Sequence, residues 1–304
     1  MDKKENAYLF VTFTDGRADG EQIYFAVSED GLHWKDLNEG NPVLVSEVGE
    51  MGARDPFMIR AIDEKKFYLI ATDLRIANGK GWEVAQYAGS RNLLIWESED
   101  LIHWSKTRMV EIGLPEAGCV WAPEVIYDKK RNAYLIFFAS MIKYETDSEP
   151  KQRIYASYTR DFVTFTEPRI YIEAKNHVID TTIVEENGIY YRFSKDETTK
   201  RIRMDYGEDL QGAFTEIQSQ MLEEIYGVEG PEAYYIEELQ SWCLIVDRFA
   251  TGKGYLPLLC KDLRKGEFEP LEEGRYDLGG IKKRHGSVIT ITDEEKCRLL
   301  EKWG

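Results

Sequence analysis

The feature that most limits how this chain can fold is a repeated turn. Ser28-Glu29-Asp30-Gly31-Leu32-His33-Trp34 returns as Ser98-Glu99-Asp100-Leu101-Ile102-His103-Trp104 and, more loosely, as Thr159-Arg160-Asp161-Phe162-Val163-Thr164-Phe165. Gly207-Glu208-Asp209-Leu210 leading to Phe214, and Cys260-Lys261-Asp262-Leu263 leading to Phe268, complete five copies. The aspartates fall at 30, 100, 161, 209 and 262, a spacing that suits propeller blades carrying insertions. Five copies predict five blades.

Each turn closes a predicted strand, at 22–28, 92–98, 154–158, 202–206 and 255–260. A second strand precedes each of these, at 7–14, 67–72, 133–139, 188–193 and 241–246. These runs are short and rich in aromatic and β-branched residues, a composition that favours strand over helix. Ahead of the second strands stand runs headed by a charged group: Arg54-Asp55-Pro56, Trp121-Ala122-Pro123-Glu124, Ile179-Asp180-Thr181, Glu229-Gly230-Pro231 and Arg284-His285-Gly286. With the aromatic segment after each turn as a fourth strand, the plan is the four-stranded blade of a propeller. The expected fold is all-β, a five-bladed β-propeller in one domain over residues 1–304. The first unit lacks an inner strand and the last has one to spare. Residues 287–292 should therefore pair with the N-terminal blade and close the ring, since an open ring would leave strand edges unpaired. Residues 293–304 read as a short helical tail, and 73–90 and 142–152 as long loops over one face.

Composition narrows the partners. With 39 Lys plus Arg against 55 Asp plus Glu, the net charge of −16 repels nucleic acid and anionic lipid. No apolar run reaches the ~20 residues a membrane helix needs. Met1 to Asn6 lead into a strand-like run with no apolar signal core, which predicts a cytoplasmic protein. The four cysteines, at 119, 243, 260 and 297, form no Cys-x-x-Cys pair or metal-ligand spacing and read as free thiols.

If the five charged-headed runs are inner strands, their first residues converge on one place. Carboxylates there, partly buried and close to other charges, have the perturbed acidity that acid–base chemistry uses. Asp55, Asp180 and Glu229 are the candidates, and Glu232 is a second acid ranked below Glu229. This ordered set, together with Trp121-Ala122-Pro123-Glu124, resembles glycoside hydrolase family 43, five-bladed propeller enzymes that remove arabinofuranosyl or xylosyl units from plant polysaccharide fragments. The resemblance covers nearly the whole chain. It implies that Asp55 is a general base, Glu229 a general acid, and Asp180 the group that orients Glu229 and holds it protonated near neutral pH. Many members have Pro where this chain has Thr181.

The resemblance also implies a sugar site near Trp121 and Glu124, and a channel histidine, His285, holding a calcium-bound water; a purely structural histidine is the alternative. Arg54 and Arg284 either donate to sugar hydroxyls or only position the acids. Inverting removal of a terminal pentose, chiefly α-L-arabinofuranose, from an oligosaccharide is the implied reaction, placing the chain in xylan degradation. A β-xylosidase, a β-galactosidase or a non-catalytic sugar-binding propeller are the alternatives. The fructoside families 32 and 68 share the ring, but this chain lacks their Asn-Asp-Pro and Glu-Cys motifs. A mannoside phosphorylase would need a basic phosphate pocket that the sequence does not reveal.

Overall fold

A computed structural model describes residues 5–15 and 17–304, folded into five four-stranded antiparallel sheets. The first blade holds β1 (Glu5–Thr12), β2 (Tyr24–Ser28) and β3 (Lys35–Asp36). The second holds β4 (Ala53–Arg60), β5 (Phe67–Asp73), β6 (Asn92–Ser98) and β7 (Arg108–Glu111). The third holds β8 (Trp121–Asp128), β9 (Ala133–Ile142), β10 (Lys151–Thr159) and β11 (Arg169–Ile172). The fourth holds β12 (Val178–Glu186), β13 (Ile189–Asp196), β14 (Arg201–Gly207) and β15 (Thr215–Ile217). The fifth holds β16 (Glu229–Ile236), β17 (Ser241–Asp247), β18 (Tyr255–Cys260) and β19 (Glu269–Pro270). Last comes β20 (Gly286–Thr292), which lies beside β1 with Ser287 opposite Val11 and Thr290 opposite Tyr8. The inner strands β20, β4, β8, β12 and β16 each contact the next, and β16 contacts β20, so the ring closes through the expected exchange of a C-terminal strand.

The repeated aspartates explain their own recurrence. Asp30 Oδ1 accepts from the amides of Leu32 and His33 (both 2.8 Å), and Asp100 Oδ1 from those of Ile102 (2.9 Å) and His103 (2.8 Å). Asp161 does the same for Val163 (2.9 Å) and Thr164 (2.8 Å), while Asp209 and Asp262 each accept one amide two residues on. These side chains satisfy backbone donors that a sharp turn leaves free. The strand register puts them at the opposite end of the blades from Asp55, Asp180 and Glu229.

The core is divided into five apolar clusters, one between each pair of neighbouring blades. Phe10, for example, packs edge-on to Trp34 and tilted against Tyr255, joining the first blade to the fifth. Burying such a side chain contributes ~1.5–3 kcal/mol, and this interface between the first and fifth blades exists only once the ring closes.

The helices α1 (Gly81–Tyr87), α2 (Gln220–Glu224) and α3 (Asp293–Trp303) lie outside the blade sheets. A Thr292–Glu295 capping box starts α3, and Glu295 holds Arg60 of β4 through two bonds of 2.8 and 2.9 Å. The stretch at 73–90, expected to be loop, contains α1. The connection expected at 142–152 is shorter, because β9 runs to Ile142 and β10 begins at Lys151. Among the described residues no helix is long and apolar enough to cross a membrane.

Candidate active site

Four of the five inner strands begin with a β-bulge, and the bulges aim the site. The pairing slips between Arg54 and Phe57, Trp121 and Glu124, Ile179 and Thr181, and Glu229 and Glu232. At each slip one residue is left-handed: Asp55 (φ 50°), Ala122 (46°), Asp180 (46°) and Gly230 (52°). A bulge turns a side chain away from the pleat, and bulges gather beside active sites for that reason. Aspartate tolerates this backbone better than most residues. Glycine is required at 230 on a second count, because a Cβ there would come within 2.9 Å of the His285 Cβ.

This alignment corrects the expected equivalence of the three acids. Asp55 and Asp180 share the left-handed position, whereas Glu229 stands one residue earlier, matching Arg54, Trp121 and Ile179. Glu232 matches Glu124, both being the first residue after their bulge.

The bulges open into one cavity of about 660 Å³ whose walls include Arg54, Asp55, Trp121, Asp180, Glu229, Arg284 and His285. Of the sequence candidates, Glu124 and Glu232 lie outside that wall: each is 3% exposed, and Glu124 sits beneath His285, with Oε1 3.8 Å from Nε2. Direct contact between Glu124 and a sugar therefore does not follow from its position.

Charges in the cavity are matched closely. Thr72 Oγ1 donates to Asp55 Oδ2 (2.9 Å), and the Gly230 amide donates to Asp180 Oδ2 (3.1 Å). Glu229 is clasped on both oxygens, by Arg284 Nη2 on Oε1 and Lys195 Nζ on Oε2, each at 2.8 Å. Arg284 is itself held by Asp247 (2.6 Å) and by Asp15. Arg54 is bonded to Glu21 (2.8 Å) and lies between the rings of Phe13 and Trp82, with centroids at 4.4 and 5.1 Å. Trp82 also meets Trp121 edge-on, with ring centroids 6.1 Å apart.

The acidities do not follow the expected pattern. Burial alone would raise Glu229, but Lys195 and Arg284 outweigh it and hold the carboxyl below its ordinary range. Asp180 takes the raised value instead: burial pushes it up, Glu229 and Asp55 add to that, and His285 and Lys195 only partly oppose. Asp180 therefore does not keep Glu229 protonated in the free protein, because two cations lie closer to Glu229 than the expectation allowed for.

His285 sits among carboxylates. Its Nδ1 is 3.6 Å from Asp55 Oδ1 and 3.8 Å from Asp180 Oδ1. Burial would lower its pKa, but Asp180, Glu124 and Asp55 prevail and raise it to about 10. The surrounding carboxylates thus favour the protonated ring, which donates from both nitrogens. Among the described residues no three His, Cys, Asp or Glu groups are placed to hold a metal.

Several cavity residues escaped the sequence reading. Lys195 on β13 pairs with Ile179, as Thr72 pairs with Arg54 and Asp247 with Glu229. In three blades the end of the second strand therefore supplies a supporting group, a signal that comparing those strand ends could have found; in the third blade the matching residue is Ala139. Glu21 accepts from the amides of Ile76 and Ala77 (both 2.9 Å) as well as from Arg54, and thereby pins the loop that carries α1 and Trp82 over the cavity. The 143–150 connection does not reach the cavity; its Asp147 instead bonds Arg153 of β10 (2.6 Å).

Over residues 3–296 the chain matches a glycosyl hydrolase 43-related family model described as "Probable glycosyl hydrolase domain". It is 32% identical over 291 residues to a curated alpha-L-arabinofuranosidase of Bifidobacterium longum subsp. longum, covering 81% of this chain and 27% of that protein. The chain spans about a quarter of that relative's length. Among solved structures, an exo-beta-1,3-galactanase from Clostridium thermocellum aligns with a TM-score of 0.60 at 14% identity, covering 88% of this chain and 59% of the other. The catalytic domain of a Coprinopsis cinerea family 62 alpha-L-arabinofuranosidase aligns with a TM-score of 0.52 at 13% identity, covering 74% and 70%. At such identities these two likenesses are of fold.

Proposed function

This chain belongs to the glycosyl hydrolase family 43-related proteins, and from that membership we propose that it hydrolyses a terminal pentose, α-L-arabinofuranose first, from an oligosaccharide with inversion. The observation that carries the reading is that Asp55, Asp180 and Glu229, from three different blades, face one cavity. Inversion needs one carboxyl to protonate the leaving oxygen and another to activate water on the opposite face of the sugar, ~6.5–9.5 Å apart. Asp55 takes the proton from that water, and its bond from Thr72 fixes the carboxylate's orientation. Glu229 gives a proton to the leaving oxygen. Asp180, anchored by the Gly230 amide, holds the strand carrying Glu229 in place.

The cavity's cations are all engaged: Arg17 by Asp19, Arg54 by Glu21, Lys195 by Glu229 and Glu197, Lys200 by Glu197, and Arg284 by three carboxylates. That favours a neutral sugar, and water over phosphate as the acceptor. Arabinose is chosen over xylose and galactose because the curated relative carries that name. The α1 loop, walling one side with Ile76 and Trp82, favours removal of an end unit over internal cleavage.

The test is turnover of aryl α-L-arabinofuranoside, β-D-xyloside and β-D-galactoside, with proton NMR of the first sugar released. Arabinose in the anomeric form opposite to the substrate's is the expected result. Retention would require a nucleophilic carboxylate ~5–5.5 Å from the acid and would end the role given to Asp55. No turnover of any of the three would favour a binding propeller.

A further inference from the structure

We propose that Lys195, steadied by Glu197, is a positioning residue of the reaction: a cation shared between two carboxylates that fixes Glu229 and must release it for the proton transfer. This rests on Glu229 being the proton donor. A donor needs one oxygen free to carry a proton toward the leaving group, yet Arg284 and Lys195 occupy both. One of them has to let go.

Arg284 has little freedom to do so, because its Nε is fixed to the fully buried Asp247 and its Nη1 to Asp15. Lys195 differs. Its side chain is 3% exposed and cannot leave the cavity wall, but a second acceptor stands beside it. Glu197 Oε2 lies 2.6 Å from Nζ, within ion-pair reach yet not aligned as a hydrogen bond, and no other donor satisfies that oxygen. Lys200 holds the other oxygen of Glu197 and so keeps the acceptor in place. The ring of Phe249, 4.7 Å from Nζ, covers the ammonium's remaining side. A small tilt therefore transfers Lys195 from Glu229 to Glu197 without exposing a charge.

The step balances. Glu229, protonated from solvent while Lys195 rests on Glu197, gives that proton to the leaving oxygen as the glycosidic C–O bond breaks. Asp55 accepts a proton from the attacking water. Lys195 then returns to the new Glu229 carboxylate, and the proton on Asp55 is lost to solvent.

Charged groups reach Glu229 from every side: Lys195 on β13, Arg284 before β20, Asp180 on β12 and Asp247 on β17. Lys195 itself faces Asp180, Glu229 and Glu197. Two substitutions therefore predict opposite signs. In Lys195→Met the Glu229 carboxylate loses a cation, and its titration midpoint should rise by ~1–3 pH units, the usual effect of a close opposite charge. In Glu197→Gln, Lys195 has no second acceptor and a nearby negative charge is gone, so the midpoint should fall. Lys195→Arg should restore most of the wild-type value.

The midpoint is read by carbon NMR on protein carrying carboxyl-labelled glutamate, with the Glu229 resonance identified by its loss in Glu229→Gln. The alkaline limb of kcat/KM for an aryl glycoside should move in step. Unchanged midpoints in Lys195→Met, or an upward move in Glu197→Gln, would overturn the proposal. Should Lys195→Met fail to unfold cooperatively, Glu197→Gln and Lys195→Arg decide the matter alone. Opposite NMR shifts without any matching movement of the limb would overturn the proton-transfer role. Absence of turnover in the wild type would instead remove the hydrolase reading, which the substrate screen detects separately.

Discussion

Glu229 and Glu232 stand three residues apart on β16, one at the mouth of the ring and one in the channel below it, and their acidities move in opposite directions. Both are desolvated, so burial does not separate them. At the mouth, Lys195 and Arg284 meet Glu229 and lower its pKa. In the channel, Glu232 accepts only the Val288 amide (2.7 Å) and the Thr182 hydroxyl (3.2 Å), while Glu124 adds like charge and His285 only partly offsets it; its pKa rises well above the ordinary value. Two carboxyls on one strand thus differ because adjoining blades supply cations at one level and neutral donors at the next.

The largest effect expected is from removing the strand that serves both levels. A chain ending at Arg284 loses β20, with the Val288 amide that Glu232 needs and the edge that β1 pairs with. It should show no cooperative thermal unfolding; a cooperative transition would mean that the ring closes some other way.

Next come substitutions that separate mouth from channel. Asp55→Asn and Glu229→Gln should each lower kcat/KM by ~10²–10⁴-fold, the usual worth of a positioned acid or base, with Glu229→Gln least harmful on substrates having activated leaving groups. Glu232→Gln should stay within a few-fold of the wild type. If Glu232→Gln shows the donor's pattern and Glu229→Gln does not, the roles are exchanged. Because Glu229 is held below its ordinary range, the wild-type alkaline limb should lie on the acid side of neutrality.

The channel should report through stability. Glu232 has a raised pKa in the fold, so its contribution is fully present below the unfolded carboxyl value and drains away as pH rises through the folded one. Glutamine cannot ionise. Urea unfolding should therefore find Glu232→Gln gaining steadily on the wild type as pH rises from 5 to 8. A gap that does not widen with pH would contradict the raised acidity.

The smallest effect concerns the rim. Trp82 is 53% exposed over the cavity and touches Arg54 and Trp121. Trp82→Ala should raise KM for oligosaccharides by roughly five-fold, about 1 kcal/mol for one aromatic contact, while small aryl glycosides are little affected. Equal losses on both would place Trp82 against the reacting sugar itself.

The sequence by itself determined the ring. Its turns are local events, each closed by an aspartate bonding amides two or three residues on, so five copies could be read without knowing what they touch. The exchange of β20 onto β1 followed from counting strands, and the strand heads 55, 180 and 229 from the same count. Tertiary structure decided the rest. Whether Glu229 holds a proton depends on Lys195, which is 34 positions away in the chain, and on Arg284, 55 away. The α1 segment, rich in glycine and without a capping side chain, is fixed by Glu21 and by a Lys80–Glu50 pair rather than by its own propensity. The charge on His285 is set in the same way, by Asp55, Glu124 and Asp180, which gather around the ring from three blades. Local hydrogen bonds can be read from neighbouring letters; charge state cannot, because it is a sum over groups that meet only after the ring has closed.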